Sequence, residues 1–499
     1  MATTADTIHI HGDDYEDEGD DENAPLLGTT QVLKPSSSRS QKLTVMIAAS
    51  TLTLALDIGF YLTAAPQTKI FENIVCQNYL AGLGNPAGMI PPEGICKSEP
   101  VQSELALVNG WKDTSEFLPG ILLAVPYGVL ADRWGRRPVL LLGILGVLLG
   151  EIWVRVVCMY PTVLPLRLVW LSGIWRIIGG GDLTLSSVAM VMIADRFPED
   201  EIATALFRLS SAVILSEVLA TPVSAYLMTR DPWMPFMLGL GISTLGSLSA
   251  FLIPESLTDI KSKTSSPDEE ETRPDPAGKG SVSVRQYIKG KLQALRDSIR
   301  FIMGKPAVTV CLFAMFATSI SRQSTSLLLQ YTSKRFEWSI ANSSLLISLR
   351  GTITLANFLL LTPALSFLLT RHFHLPGKLK DLRLAQISSF TAALGFIIIA
   401  TASSRAIVIL GIVVLSLGAA FAVSCRSFVT SLVRPDRVGT LYSSAAAVTS
   451  LGTVVSGPLL AYAFRLGLHW GPEWFGLPFL LAGGVYFLAA VAMVRILSR

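Results

Sequence analysis

Apolar runs of about twenty residues, the length needed to cross the hydrocarbon core of a bilayer, recur along this chain and leave few alternatives for its fold. About twelve can be marked, from 43–65 near one end to 475–497 at the other. Backbone polar groups in lipid must be satisfied within their own segment, so runs of this kind predict helices. The expected fold class is all-α integral membrane, with about 12 transmembrane helices in two pseudo-symmetric six-helix bundles. Composition agrees, since 51% of residues are hydrophobic and only 15% charged, against about 25% charged in soluble domains.

Two stretches interrupt the pattern. Residues 1–41 are acidic, lack an apolar core and read as a disordered cytoplasmic tail rather than a secretory signal. Residues 254–305 are rich in charge, Pro, Gly and Ser and read as a cytoplasmic linker. Its second part spaces Tyr287, Leu292, Leu295, Ile299 and Ile302 as an amphipathic helix would. That helix suits either an anionic membrane face or the bundle itself. The linker separates a first bundle, 42–253, from a second, 306–499. The fourth, eighth and tenth apolar runs are long enough to tilt or protrude.

The halves are related. Laying Asp200 on Asp436 also matches Thr204 with Thr440, Pro222 with Pro458, Ala225 with Ala461 and Tyr226 with Tyr462. Two like halves joined by a linker are the plan of an alternating-access carrier. Arg/Lys-rich short loops after the second, eighth and tenth spans put those loops, and both termini, in the cytoplasm. Cys76 and Cys96 then share the long loop on the other, oxidising side and are expected to form a disulfide, with free thiols or pairing through Cys158 as alternatives. The sequon at Asn342 faces the same side, where glycosylation is possible but crowded.

Other classes are disfavoured. A net charge of +3 with scattered basic residues gives no nucleic-acid partner. The five cysteines have no metal-ligand spacing, and no cofactor is expected. No nucleophile/base constellation or Walker loop points to an enzyme.

The loop "GVLADRWGRRPVL" carries Gly128, Asp132, Arg133, Gly135, Arg136 and Arg137. It resembles the signature loop of the major facilitator superfamily, and the glycines permit close packing and a tight turn. Weaker matches are Arg176 and Gly180 in "WRIIGGG" and the "PESL" closing the sixth span. Thr221-Pro222 replaces the Gly-Pro usual in the fifth span of proton-coupled exporters. Further stretches, including "APQTKIFENIVCQNYL" and "LLLQYTSKRFEWS", are similar to a fungal branch associated with multidrug or secondary-metabolite export and distantly to proton-coupled folate and heme carriers. The resemblance implies a cytoplasmic latch in which Asp132, Arg136 and Asp195 hold the outward-open arrangement.

Charges within spans are costly, about 2.5–3.5 kcal/mol each on insertion scales, so they point to function. Asp57, Arg176, Glu217, Arg322 and Arg350 are the candidates for the transport cavity and proton coupling, with Glu217 first and Asp57 second as the carboxylate. Glu151, Asp182 and Arg426 are further intramembrane charges, and Trp111, Gln323, Gln330, Tyr331 and Asn357 are weaker cargo contacts. The expected function is proton-coupled efflux of a small organic molecule by a monomer in the lipid bilayer. Uptake of an organic anion, or a non-transporting nutrient receptor, are the alternatives. Glu22, Leu26 and Leu27 match an acidic dileucine signal, which sets the vacuolar membrane as alternative to the plasma membrane.

Overall fold

The computed structural model describes residues 39–84, 93–196, 199–255, 306–433 and 438–497. Glu22, Leu26, Leu27 and the amphipathic helix expected in the linker lie outside them, as does the side chain of Asp195.

Among the described residues there is no strand. Among them nine helices are long and apolar enough to span a membrane, or eleven if two bent pairs each count once. The remaining run, Pro306–Phe336, is an unbroken helix of 31 residues whose Ser, Thr, Gln and Arg322 dilute its hydropathy.

The N-terminal half contains α1 (Arg39–Gly82), the short α2 (Glu93–Cys96), α3 (Glu99–Trp134), α4 (Arg136–Met159), α5 (Ser172–Trp175), α6 (Gly181–Arg196), α7 (Glu199–Met228) and α8 (Trp233–Ser247). The C-terminal half contains α9 (Pro306–Phe336), α10 (Ile340–Ala356), α11 (Thr362–Arg371), α12 (Gly377–Ala400), α13 (Arg405–Leu417), α14 (Phe421–Ser431), α15 (Val438–Trp470) and α16 (Leu477–Leu497). α1 packs on α7 and α8, while α12 packs on α13 and α16. Two seams join the halves, α3 with α15 and α7 with α10. The pseudo-twofold that relates the fifth span to the eleventh exchanges these seams.

The fourth apolar run owes its length to a break rather than to tilt. Leu166–Trp175 and Ile178–Ile193 meet at 90°. The chain turns through Gly179, Gly180 and Gly181, with φ of 83°, 78° and 70°, a region open to glycine at little cost. Gly146 of α4 faces the break, and a Cβ there would come within 2.1 Å of the Ile178 carbonyl oxygen. Small residues thus let α4 approach the bent backbone, the usual basis of helix association in lipid.

Apolar packing forms one large core in the C-terminal half, around Tyr331, Phe396, Phe421, Phe464 and Phe479. In the N-terminal half one cluster surrounds Cys76 and Cys96, and another lies near the loop Asp132–Arg137. A smaller cluster crosses between halves: Ala65, Met228, Leu329, Ile340 and Ile347.

Candidate functional site

Ion pairs mark the interior of the N-terminal half and the seam between the halves. Glu217, 7% exposed on α7, accepts from Arg350 Nη2 on α10 at 2.9 Å and from the Tyr61 hydroxyl on α1 at 3.2 Å. Ser348 Oγ donates to the Val218 carbonyl at 3.0 Å in the same seam. Gly351 makes this approach possible, because a Cβ there would sit 3.2 Å from Glu217 Cγ. Thr221, one turn along α7, turns its hydroxyl back to the Glu217 carbonyl at 2.8 Å. Arg350 is ten residues into α10 and Glu217 eleven before the end of α7, about 15 Å deep at 1.5 Å per residue. The structure therefore brings two of the expected cavity residues together near mid-span.

Arg176 is placed differently. It is 5% exposed and enclosed in the N-terminal half, where it pairs with Glu116 at 3.2 Å, Glu151 at 3.4 Å and Asp182. Lys112 pairs with Glu116 at 3.0 Å and Arg155 with Glu151 at 2.8 Å. Ser172 donates to Glu116 at 2.8 Å, and Arg155 also donates to the Phe236 carbonyl at 2.7 Å. Lys112, Arg155 and Arg176 balance Glu116, Glu151 and Asp182, so the network is neutral as a whole. It ties α3, α4, the broken fourth span and α8 together. Arg176, expected among the cavity residues, has its carboxylate partners within its own half. Sequence reading passed over Lys112, Glu116 and Arg155, although Lys112/Glu116 and Glu151/Arg155 have the i, i+4 spacing of helical ion pairs.

The second seam is polar as well as close. A Cβ on Gly110 would lie 2.9 Å from Ala461 Cβ, and Thr114 donates to the Val454 carbonyl at 3.1 Å. Gln323 of α9 donates to Asp113 of α3 at 3.3 Å. A cavity of about 20 Å³, lined by Asn109, Asp113, Gln323, Ser326 and Gln330 among others, has room for about one water. Asp113 is a further site residue that sequence reading missed. Tyr331 and Asn357 are bound instead to backbone carbonyls, Tyr331 to Ile399 at 2.7 Å and Asn357 to Leu417 at 2.9 Å, which makes them internal struts. Trp111 is exposed beside Trp170.

At one end of the molecule Cys76 and Cys96 are bridged, and Cys158 is a buried free thiol. The next residue, Lys97, donates to Glu72 and to Ser333 of the other half, both at 2.5 Å. Lys334 donates to the Lys97 carbonyl. This disulfide end is therefore clasped across the halves. Asn342 is exposed in the first turn of α10, with its backbone N–H on the Ser339 hydroxyl.

The opposite end carries the loop. Gly135 separates α3 from α4 with φ of 115°. Glu255 accepts from the Arg136 and Arg137 backbone N–H groups at 2.9 and 3.0 Å, capping α4. Arg137 Nη2 reaches the Phe251 carbonyl at 2.7 Å. Asp132 is 3.9 Å from Arg136 with its side chain 70% exposed, and Arg133 is exposed. Gly128 does not support close packing in this arrangement, since a Cβ there would meet nothing within 4 Å. The tight turn belongs to Gly135.

A bipartite helical bundle with paired charges at its seams, a broken fourth span and this loop matches one family model, that of the Major Facilitator Superfamily, over residues 47–456. The chain belongs to the major facilitator superfamily. Among this superfamily's fungal members, it is 35% identical to the MFS efflux pump atnC of Emericella nidulans, over 95% of this chain and 92% of the relative. It is 33% identical to the efflux pump ustT of Aspergillus flavus, over 86% and 83%. Among solved structures, the nucleoside transporter NupG superposes with a TM-score of 0.62 at 15% identity, over 91% of this chain and 99% of that one, a likeness of fold. This superfamily chain is a multi-pass membrane transporter and not an enzyme.

Proposed function

We propose that the protein exports a small organic molecule, as a monomer, by alternating access driven by proton entry. The Glu217–Arg350 pair carries this reading, because it joins the halves at mid-span with a carboxylate that a proton would neutralise. Among described residues, hydrogen bonds between the halves run from Lys97–Ser333 at the disulfide end to Glu217–Arg350. With the loop end in the cytoplasm, this arrangement is closed outward. Glu217 takes up a proton from outside while the α7–α10 seam is open and gives it up inward as the seam closes on Arg350, and cargo from inside then reopens the pair, so proton and cargo act in turn on one hinge. The printed names of the fungal relatives, efflux pumps, support the direction. The plasma membrane is the proposed site, with the vacuolar membrane next.

The test starts from a deletion strain. A metabolite whose ratio of intracellular to external amount rises on deletion is then supplied to proteoliposomes. The expected result is accumulation that follows an imposed pH gradient and collapses with a protonophore. Accumulation indifferent to both would overturn the proton coupling, and unchanged metabolite ratios would overturn export.

A further inference from the structure

Two opposite charges in the spans have no partner among the described residues. On α9 the positions not fully buried around mid-span are Thr318, Ser321, Arg322, Thr325 and Ser326, which recur at i, i+3, i+4, i+7 and i+8 and share one face. All five are polar. A lipid-facing stripe is apolar, so this one faces water between the halves. Arg322 makes no hydrogen bond or ion pair with any described residue and is exposed. In the N-terminal half, Asp57 of α1 makes no hydrogen bond or ion pair with a described residue. It stands one turn from Tyr61, which itself contacts Glu217. Asp182, 42% exposed despite its bond to Arg176, adds a second carboxylate near Asp57.

An unanswered acid thus stands on the N-terminal half and an unanswered base on the C-terminal half. We propose that the cargo is dipolar: Asp57 receives a protonated amine and Arg322 an acidic group, so that one molecule satisfies a charge on each half. A singly charged molecule leaves one of these charges unanswered, and an uncharged molecule leaves both. A dipolar cargo also engages both halves at once, which ties binding to their relative movement. This inference rests on reading the chain as a carrier, but it concerns binding and can be tested without flux.

The probes are linear ω-amino acids of four to eight carbons, each compared by calorimetry with the alkylamine and the alkylcarboxylate of equal length, on protein in lipid nanodiscs. At one or more lengths the amino acid should bind at least about tenfold tighter than either, the effect of one added charge-assisted contact. Asp57→Asn should erase its advantage over the carboxylate, and Arg322→Gln its advantage over the amine. Unchanged thermal unfolding identifies each variant as folded; should either unfold, the wild-type comparison of probes decides alone. No advantage for the amino acid at any length overturns the proposal. So does a uniform weakening of all probes in both variants, which would mean that Asp57 and Arg322 serve each other when the halves close. Binding without flux in proteoliposomes would instead defeat the carrier reading and leave the dipolar site standing.

Discussion

Arg350 of the C-terminal half donates to Glu217 of the N-terminal half across 2.9 Å, with Tyr61 on the second carboxylate oxygen. Removing only the guanidinium leaves a carboxylate in a seam with little water. Arg350→Gln should therefore lower stability by about 3–5 kcal/mol, the usual result of breaking a buried pair from one side. Adding Glu217→Gln to it should restore much of that loss. Thermal unfolding of the two single variants and the double variant measures the coupling, and strict additivity would mean that the pair does not hold the seam.

Glu217→Gln alone keeps the shape and hydrogen bonding of the side chain but cannot exchange a proton. Accumulation driven by a pH gradient should fall to near background, while exchange of labelled for unlabelled cargo persists. Gradient-driven uptake at the wild-type rate would move the coupling role elsewhere, with Asp57 next in line and then Asp113, which accepts across the second seam from Gln323.

The loop separates two effects. Glu255 caps α4 through two backbone N–H groups, so Glu255→Ala should cost about 1–2 kcal/mol in unfolding measurements. Asp132 is exposed and only 3.9 Å from Arg136, so Asp132→Asn should change stability by under about 0.5 kcal/mol. It should nevertheless slow transport at matched membrane abundance, if the latch forms when the loop end closes.

Two glycines that both sit in or beside packed helices behave differently in three dimensions. Gly146→Ala pushes a methyl group against the Ile178 carbonyl at the break, and overpacking of this kind costs about 1–3 kcal/mol. Gly128→Ala meets open space and should leave thermal stability unchanged. Comparing their melting curves checks the break directly, and equal tolerance of both would argue against it.

At the disulfide end, Cys76 and Cys96 close a loop with a sequence separation of 20, worth about 3 kcal/mol on the chain-entropy model. Cys96→Ser should lower stability by about that much and loosen Lys97 from Ser333. Thiol labelling of the denatured, unreduced protein should mark Cys158, Cys311 and Cys425 only. Labelling at Cys76 would refute the bridge.

Much of the architecture is legible in the sequence because its signals are local. A helix in lipid satisfies its own backbone, so hydropathy averaged over about twenty residues marks each span, although among the described residues α9 is diluted by its polar stripe. The turn at Gly135 also follows from adjacent residues. Partnership is another matter, since it depends on how each helix is rotated about its axis. Glu217 and Arg350 are 133 residues apart, and Gln323 meets Asp113 across 210. Arg176, expected in the cavity, is enclosed because Glu116 and Glu151 face it from α3 and α4. Three glycines in a row permit a turn, but the 90° break needs Gly146 opposite to admit the bent backbone. Residue chemistry alone determined that these charges had to be answered in a medium without water. Only the packing of one helix on another decided which were answered within a half, which across the seam, and which, Asp57 and Arg322, were left without a partner among the described residues.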